Sequence, residues 1–230
     1  MSKTKINIYG IKRLLILFFF FMIIHLILIL CSGQITWWNA WAFTGGYIFL
    51  IFVMFIVMLK INPGLLNERG KKHKNTKSFD KIILFIYTIL FLLLPITAGL
   101  DKRFNITKMN DIISIIAIIF SIPIFSLALW ALIVNNHFET TVRIQNDRGH
   151  KVCDTGPYKY VRHPSYLAAI LGFIIIPFIL GSLLSLIPNI LMSILFIIRT
   201  QFEDNTLQRE LHGYKEYTKK TKYKLIPSIW

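Results

Sequence analysis

Long apolar blocks alternate with short basic stretches along the chain. Leu14 to Gly33, Trp37 to Leu59, Ile82 to Leu100 and Ile112 to Asn136 each lack any charged residue. A helix rises about 1.5 Å per residue, so about 20 residues cross a hydrocarbon core of roughly 30 Å, and each block is long enough to span. Inside lipid the backbone must satisfy its own hydrogen bonds, and the period-2 alternation of a strand is absent, so the blocks are read as helices. The first block is long, has no clear small-residue cleavage site and is followed by further spans. It is read as a retained helix and not as a signal peptide.

The last block, Ser165 to Ile198, is uncharged over 34 residues. As one helix it would run about 51 Å, too long for a single crossing. Pro177, Gly181, Ser182 and Pro188 lie near its middle and can break and turn the chain. A helical hairpin is expected, giving either six spans or four spans plus a shallow re-entrant pair. The fold class is therefore all-α: a polytopic integral membrane protein of about six transmembrane helices with a C-terminal helical hairpin. It reads as one domain in two functional halves. Residues 1–134 form an anchoring half of four spans, and residues 135–230 carry the hairpin, the chemistry and a cytoplasmic tail.

Composition agrees: of 230 residues 55% are hydrophobic and 16% charged, against about 25% charged in soluble domains. The net charge of +15 matters through its placement. Lys3, Lys5, Lys12 and Arg13 precede the first block, and Lys60, Arg69, Lys71, Lys72, Lys74, Lys77 and Lys81 follow the second. The segment from Asn136 to His163 and the tail after Ile198 are basic as well. The loop Ser32 to Asn39 is uncharged, and Asp101, Lys102, Arg103, Lys108 and Asp111 nearly balance. By the positive-inside rule both termini and the loops 60–81 and 135–164 are expected in the cytoplasm. Trp37, Trp38 and Trp41 are then expected as an outer aromatic belt. The basic charge borders apolar helices, where it meets anionic lipid head groups, and no nucleic-acid module is visible, so a nucleic-acid partner is not expected. Cys31 and Cys153 make no disulfide framework, and His and Cys show no metal-ligand spacing.

Polar residues suited to chemistry cluster in the second half. Gly156-Pro157-Tyr158 is a turn signal. Arg162-His163-Pro164-Ser165-Tyr166 follows at the mouth of the hairpin, with Pro164 suited to the first turn of a helix. Free backbone N–H groups at that helix start attract a carboxylate, and Arg162 and His163 add donors. At the other end of the hairpin, Arg199 and Glu203 stand at i,i+4 on one face, followed by Asp204. The plain alternative is an Arg199–Glu203 salt bridge. The hairpin, however, returns residues 158–166 and 199–204 to one membrane face, and ionisable residues at the edge of membrane helices point to a functional site. Other features are plainer. His25 is read as a packing or interhelical polar contact, Glu68 and Arg69 as solvated loop charges, and Phe18 to Phe21 as lipid-facing bulk.

These same residues resemble a known family. Gly156-Pro157-Tyr158, Val161-Arg162-His163-Pro164-Ser165-Tyr166, Arg199 with Glu203-Asp204, then Tyr214, Tyr217 and Pro227 are similar to the signature of the isoprenylcysteine carboxyl methyltransferase family and its phospholipid methyltransferase relatives. The likeness covers roughly residues 135–230, with a looser match from Asn62-Pro63 to Arg69. It implies S-adenosyl-L-methionine as methyl donor, with a cytoplasmic cofactor site. Carried over residue by residue, it assigns cofactor contacts to Gln145, His150, Lys151, Val152, Cys153, Tyr158, His163, Pro164, Ser165, Tyr166 and Glu203, and the methyl acceptor to Arg199 as catalytic and substrate-binding residue. Asp204 stands where the family often has a second glutamate, and Gln145 aligns only across a short gap.

The resemblance implies a lipophilic acceptor, a small molecule or a prenylated substrate, reached from the bilayer. A carboxylate of isoprenylcysteine type is ionised at neutral pH and needs no base, so Arg199 would position it. An amine lipid head group would first lose a proton to Glu203 or Asp204. A steroid-reductase-like or non-catalytic membrane protein is the alternative outside methyl transfer. Oligomeric state is not read from the sequence.

Overall fold

The computed structural model describes residues 5–73 and 75–230, so Lys3 and Lys74 of the charge pattern lie outside the described residues. The chain is all-helical, with no strand among the described residues. The helices are α1 (Ile8–Ser32), α2 (Trp38–Ile61), α3 (Pro63–Arg69), α4 (Ser78–Phe104), α5 (Asp111–Val134), α6 (Pro164–Leu180), α7 (Leu186–Glu210) and α8 (Tyr214–Lys220). Five of them, α1, α2, α4, α5 and α7, are long and apolar enough to cross a membrane, and α6 is a shorter apolar helix. The chain is thus a multi-pass integral membrane protein.

Local chemistry sets the helix ends. Asn7 caps α1 by accepting from the Tyr9 N–H at 3.0 Å, and Asn110 caps α5 by accepting from the Ile112 N–H at 2.9 Å. Asn62 caps α3 by accepting from the Leu65 N–H at 3.0 Å, with Pro63 at the first helical position, where its missing N–H costs nothing. That accounts for the Asn62-Pro63 pair. The expected hairpin is α6 and α7. The break falls at Gly181, which takes a left-handed φ of 67°, while Pro177 and Pro188 sit inside the helices.

The hairpin runs the full height of the bundle and is not a shallow pair. At its tip the Ser182 hydroxyl donates to Asp101 at 2.5 Å, the Leu184 N–H to Asp101 at 3.1 Å and the Leu183 N–H to the Thr107 hydroxyl at 3.2 Å. Asp101 in the last turn of α4 and Thr107 in the α4–α5 connection lie at the far end. Nearby, the Asn39 amide of α2 bridges Ser114 of α5 (3.0 Å) and the Ile179 carbonyl of α6 (2.9 Å). Polar side chains thus tie four helices together where lipid offers no hydrophobic drive for association.

Apolar residues divide between lipid and core in ways that hydropathy does not show. Phe19 faces out, but Phe21 is buried and packs on Phe43, Tyr47 and Phe91, which corrects the lipid-facing reading of the whole Phe18–Phe21 run. Trp38 and Trp41 are exposed as a belt requires, whereas Trp37 is buried in the main core and donates to Asn39 at 3.1 Å. His25 makes the expected interhelical contact, 3.2 Å from the Thr44 hydroxyl of α2, with its ring centre 4.2 Å from that of Trp41 and the two rings tilted.

Candidate active site

The near end of the bundle holds a cavity of about 410 Å³, within the roughly 300–1,000 Å³ typical of small-molecule sites. Its walls come from the start of α6, the last turns of α7, α8, the 135–158 connection, and residues of α1, α3 and α4. Of the twelve residues singled out in the sequence, eleven line it: Gln145, His150, Lys151, Val152, Cys153, Tyr158, His163, Ser165, Tyr166, Arg199 and Glu203. Pro164 does not line it. It occupies the first position of α6 and leads the chain into that helix.

A buried ion pair anchors the floor. The Asp204 carboxylate, fully buried, accepts from Arg162 through Nε at 2.8 Å and Nη2 at 2.9 Å, from Tyr214 at 3.0 Å and from Gln208 at 2.7 Å. His163 Nε2 lies 3.3 Å from the same carboxylate. Arg162 Nη1 also donates to the carbonyls of Thr221 (3.0 Å) and Lys222 (2.6 Å), and the backbone N–H groups of Arg162 and His163 donate to Tyr223 and Lys224 at 2.9 Å each. The C-terminal tail is therefore strapped onto the start of α6. Both Asp204 oxygens are committed, so Asp204 is a structural anchor and holds no proton-accepting position for a substrate.

Glu203, one residue earlier, is placed differently. Its carboxylate accepts a short hydrogen bond from the Tyr166 hydroxyl and makes no salt bridge among the described residues. The i,i+4 pair with Arg199 does not form. Arg199 Nε instead donates to buried Asp80 at 2.7 Å, and its Nη2 to the Thr140 carbonyl at 2.9 Å. The guanidinium lies 5.1 Å from the centre of the Tyr166 ring, within reach of a cation–π contact. Tyr166 in turn stacks on His163, with ring centres 5.6 Å apart. Asp80 also accepts from the Val142 N–H at 2.8 Å, so one buried acid fixes both α7 and the connection.

The α6 start offers fewer free donors than expected. The Tyr166 and Leu167 N–H groups both bond to the His163 carbonyl, which leaves the Ser165 N–H and hydroxyl without a protein partner among the described residues. On the far wall, Arg143 is clamped between Glu139 (2.7 and 2.8 Å) and Asp147 (2.7 Å). These bonds raise its pKa, Glu139 first, against the opposing effect of burial. Gln145 donates to the His137 carbonyl at 2.6 Å and accepts from Arg148 at 2.8 Å, so its amide is spent on shaping the wall. His137 and His150 lie ring to ring at 4.7 Å. Burial, then the charges of His137, Arg143 and Arg148, pulls His150 down to about 4, so it is neutral at physiological pH. Tyr158 accepts from Asn135 at 3.1 Å and is held neutral by burial. Tyr214, Tyr217 and Leu211 pack on Val152 to cover the site from α8.

Asp80, Arg13 and Arg69 are among the residues of the site that escaped sequence reasoning: Asp80 lies behind the wall, holding Arg199, and the two arginines line it. Asp80 is the one acid in the first turn of α4, at the head of a long apolar stretch, and that position is the signal that could have found it. Arg13 and Arg69 were counted only as loop or flanking charge. Arg69 ends the short helix α3, lies over the Phe138 ring at 5.0 Å and faces the cavity.

Residues 115–209 match the model of the isoprenylcysteine carboxyl methyltransferase (ICMT) family. The match runs from within α5 to the last turn of α7 and takes in Gln145 through Glu203, so it bears out the resemblance over the segment that builds most of the cavity. No curated protein matches the chain. This match supports a membrane methyltransferase.

Proposed function

We propose that the protein transfers a methyl group from S-adenosylmethionine to a lipophilic carboxylate, of isoprenylcysteine type, at the cytoplasmic face of its membrane. The observation that carries the reading is Glu203. It is a carboxylate on a cavity wall, held by Tyr166 and lacking a cationic partner among the described residues, within the segment that matches a methyltransferase family. A carboxylate kept unpaired at such a place suits a ligand that brings its own cation.

The residues fit the cofactor by chemistry. Glu203 would take its ammonium, the free Ser165 N–H and hydroxyl its carboxylate, and the rings of Tyr158 and Tyr166 its adenosine or its cationic sulfur. Neutral His150, with Val152, Cys153 and the Lys151 side chain, would form the outer wall. When bound, the cofactor supplies a methyl already activated on a sulfonium, so the protein's work is to align the acceptor and exclude water. Arg199 suits positioning. Asp80 neutralises much of its charge, so it can orient a carboxylate without suppressing its nucleophilicity, and Nη1 has no protein partner among the described residues. Residues 135–230 would form the catalytic half, and residues 1–134 the anchor and the bilayer-facing side.

The described ends of the chain support the orientation. The Lys5 carbonyl accepts from Asn67 of α3, and Trp230 pairs with Lys224 beside His163, so both lie at the cavity end of the bundle. The basic stretches gather at that end, which by the positive-inside rule is cytoplasmic.

The direct test incubates purified protein in lipid nanodiscs with methyl-tritiated S-adenosylmethionine and a farnesyl thioether carboxylic acid. Label in the lipid fraction that is released by mild base would establish an ester. Base-stable label would shift the acceptor to an amine, and the absence of transfer to every lipid acid or amine offered would count against methyl transfer.

A further inference from the structure

The cavity's positive charges are not equivalent. Arg143 is paired with Glu139 and Asp147, Arg162 with Asp204, and Arg199 with Asp80. Lys151 is exposed at the mouth. Arg13 of α1 and Arg69 of α3 also face the cavity, and neither joins a salt bridge among the described residues. Arg13 Nε is buried with no hydrogen-bond partner, and Arg69 makes only a long 3.5 Å contact to the Phe138 carbonyl. Burial, and then the charge of Arg13, pulls Arg69 down to about 10. Two like charges held together in a partly dry wall are costly unless an anion joins them.

The same two arginines also edge a second feature. A small cleft of about 20 Å³ between α1, α2 and α3 is lined by Leu14, Leu17, Ile51, Met54, Phe55 and Leu66, and Arg13 and Arg69 line both it and the cavity. One side of the pair is hydrocarbon and the other is the cavity. An amphiphile with an acidic head matches both: its chain would stay in the bilayer beside these apolar residues, since the cleft is too small to enclose it, and its oxyanion would sit on the guanidinium groups, which bind planar oxyanions in a bidentate way.

We propose that Arg13 and Arg69 form an oxyanion clamp for the acid group of the acceptor lipid, whose chain stays in the bilayer beside α1, α2 and α3. The assignment of that lipid as acceptor rests on the methyltransferase reading. It gives the non-catalytic half a direct part in substrate choice, with Arg199 left to orient the group and Arg13 and Arg69 to supply its counter-charge. A cationic head group would be repelled here, so the clamp also selects against amine acceptors.

The test is equilibrium binding in neutral-lipid nanodiscs, without cofactor, of a farnesyl thioether carboxylate and of the matching neutral carboxamide. The carboxylate should bind at least about tenfold more tightly than the amide, as expected for charge-assisted bidentate pairing. Arg13→Gln and Arg69→Gln should each remove most of that preference and leave amide binding and S-adenosylmethionine binding in place. Arg13→Lys and Arg69→Lys should keep part of it, which separates loss of charge from loss of fold. Equal affinity for acid and amide in the native protein, or an undiminished preference in both Gln variants, would overturn the clamp. Displacement of the acid by anionic phospholipid as effective as by unlabelled acid would overturn the acceptor assignment. An arginine-dependent acid preference in a protein that binds no S-adenosylmethionine would instead sink the methyltransferase reading and leave the clamp standing.

Discussion

Asp80 and Asp204 show how a single residue decides the site. Each is a fully buried acid that neutralises a buried arginine and also holds a neighbouring segment. Removing one member of such a pair leaves an uncompensated charge, at a cost of about 3–5 kcal/mol. Asp204→Ala should therefore lower the detergent melting temperature sharply and release the C-terminal tail, seen as faster proteolysis after Thr221. Arg199→Ala should destabilise in the same way because it strands Asp80, so slower transfer in that variant does not by itself identify a catalytic role. Arg199→Lys, which keeps the charge beside Asp80, should retain the fold and cofactor binding but slow transfer. If it transfers methyl groups at the native rate, the positioning role is wrong. His150 makes a pH prediction. Its folded pKa lies below the ordinary histidine value of 6.5, at about 4, so the unfolded chain takes up the proton first as pH falls. The stability linked to His150 is present above pH 6.5 and is lost as pH drops towards 4. Melting temperature against pH should show that decline, and His150→Gln should flatten it.

Helices were easy to read from the sequence because lipid leaves the backbone few choices, and the hairpin followed from a block too long for one crossing. Which face of each helix meets protein was not readable. Phe19 and Phe21 are chemically alike, yet one faces out and the other packs on three aromatic rings. Local spacing also misled: i,i+4 suggested Arg199 with Glu203, but Arg199 pairs with Asp80, 119 residues away in sequence. The Gly156–Tyr166 and Arg199–Glu203 motifs nevertheless meet at one end, as the hairpin reading expected, because the hairpin returns them there. Helix contacts make their own prediction. A side chain at Gly99 of α4 would meet the Cys31 Cβ at 2.5 Å and the Leu28 carbonyl of α1 at 3.1 Å. In membranes such small residues let backbones approach closely. Gly99→Leu should push α1 from α4 and lower thermal stability, whereas Gly45→Leu, with open space around it, should be tolerated.

At the scale of the whole molecule, the architecture is a bundle with one sealed end and one chemical end. Asp101, Thr107 and Ser182 close the far end with hydrogen bonds, and the near end gathers the cavity, both described chain ends and most of the basic charge. Hydropathy and charge made this polarity readable. The participation of α1, α3 and α4 in the cavity wall was not, because it depends on how the helices pack. Orientation has a direct check. In a background lacking Cys31 and Cys153, Lys108→Cys and Lys220→Cys place thiols at exposed positions of opposite ends. An impermeant maleimide applied to intact cells should label position 108 and spare position 220, and the reverse pattern would invert the topology.

The most direct test of the central claim is calorimetric titration of S-adenosylmethionine into the detergent-purified protein, beside Glu203→Gln. Glu203→Gln keeps a hydrogen-bond acceptor for Tyr166 and removes only the charge, so the variant should melt like the native protein. Saturable one-to-one binding by the native protein, weakened at least about tenfold by loss of this charge-assisted contact, is the expected result. No binding by native protein that is demonstrably folded, or equal binding by the two proteins, would contradict the assignment of the cavity and of Glu203.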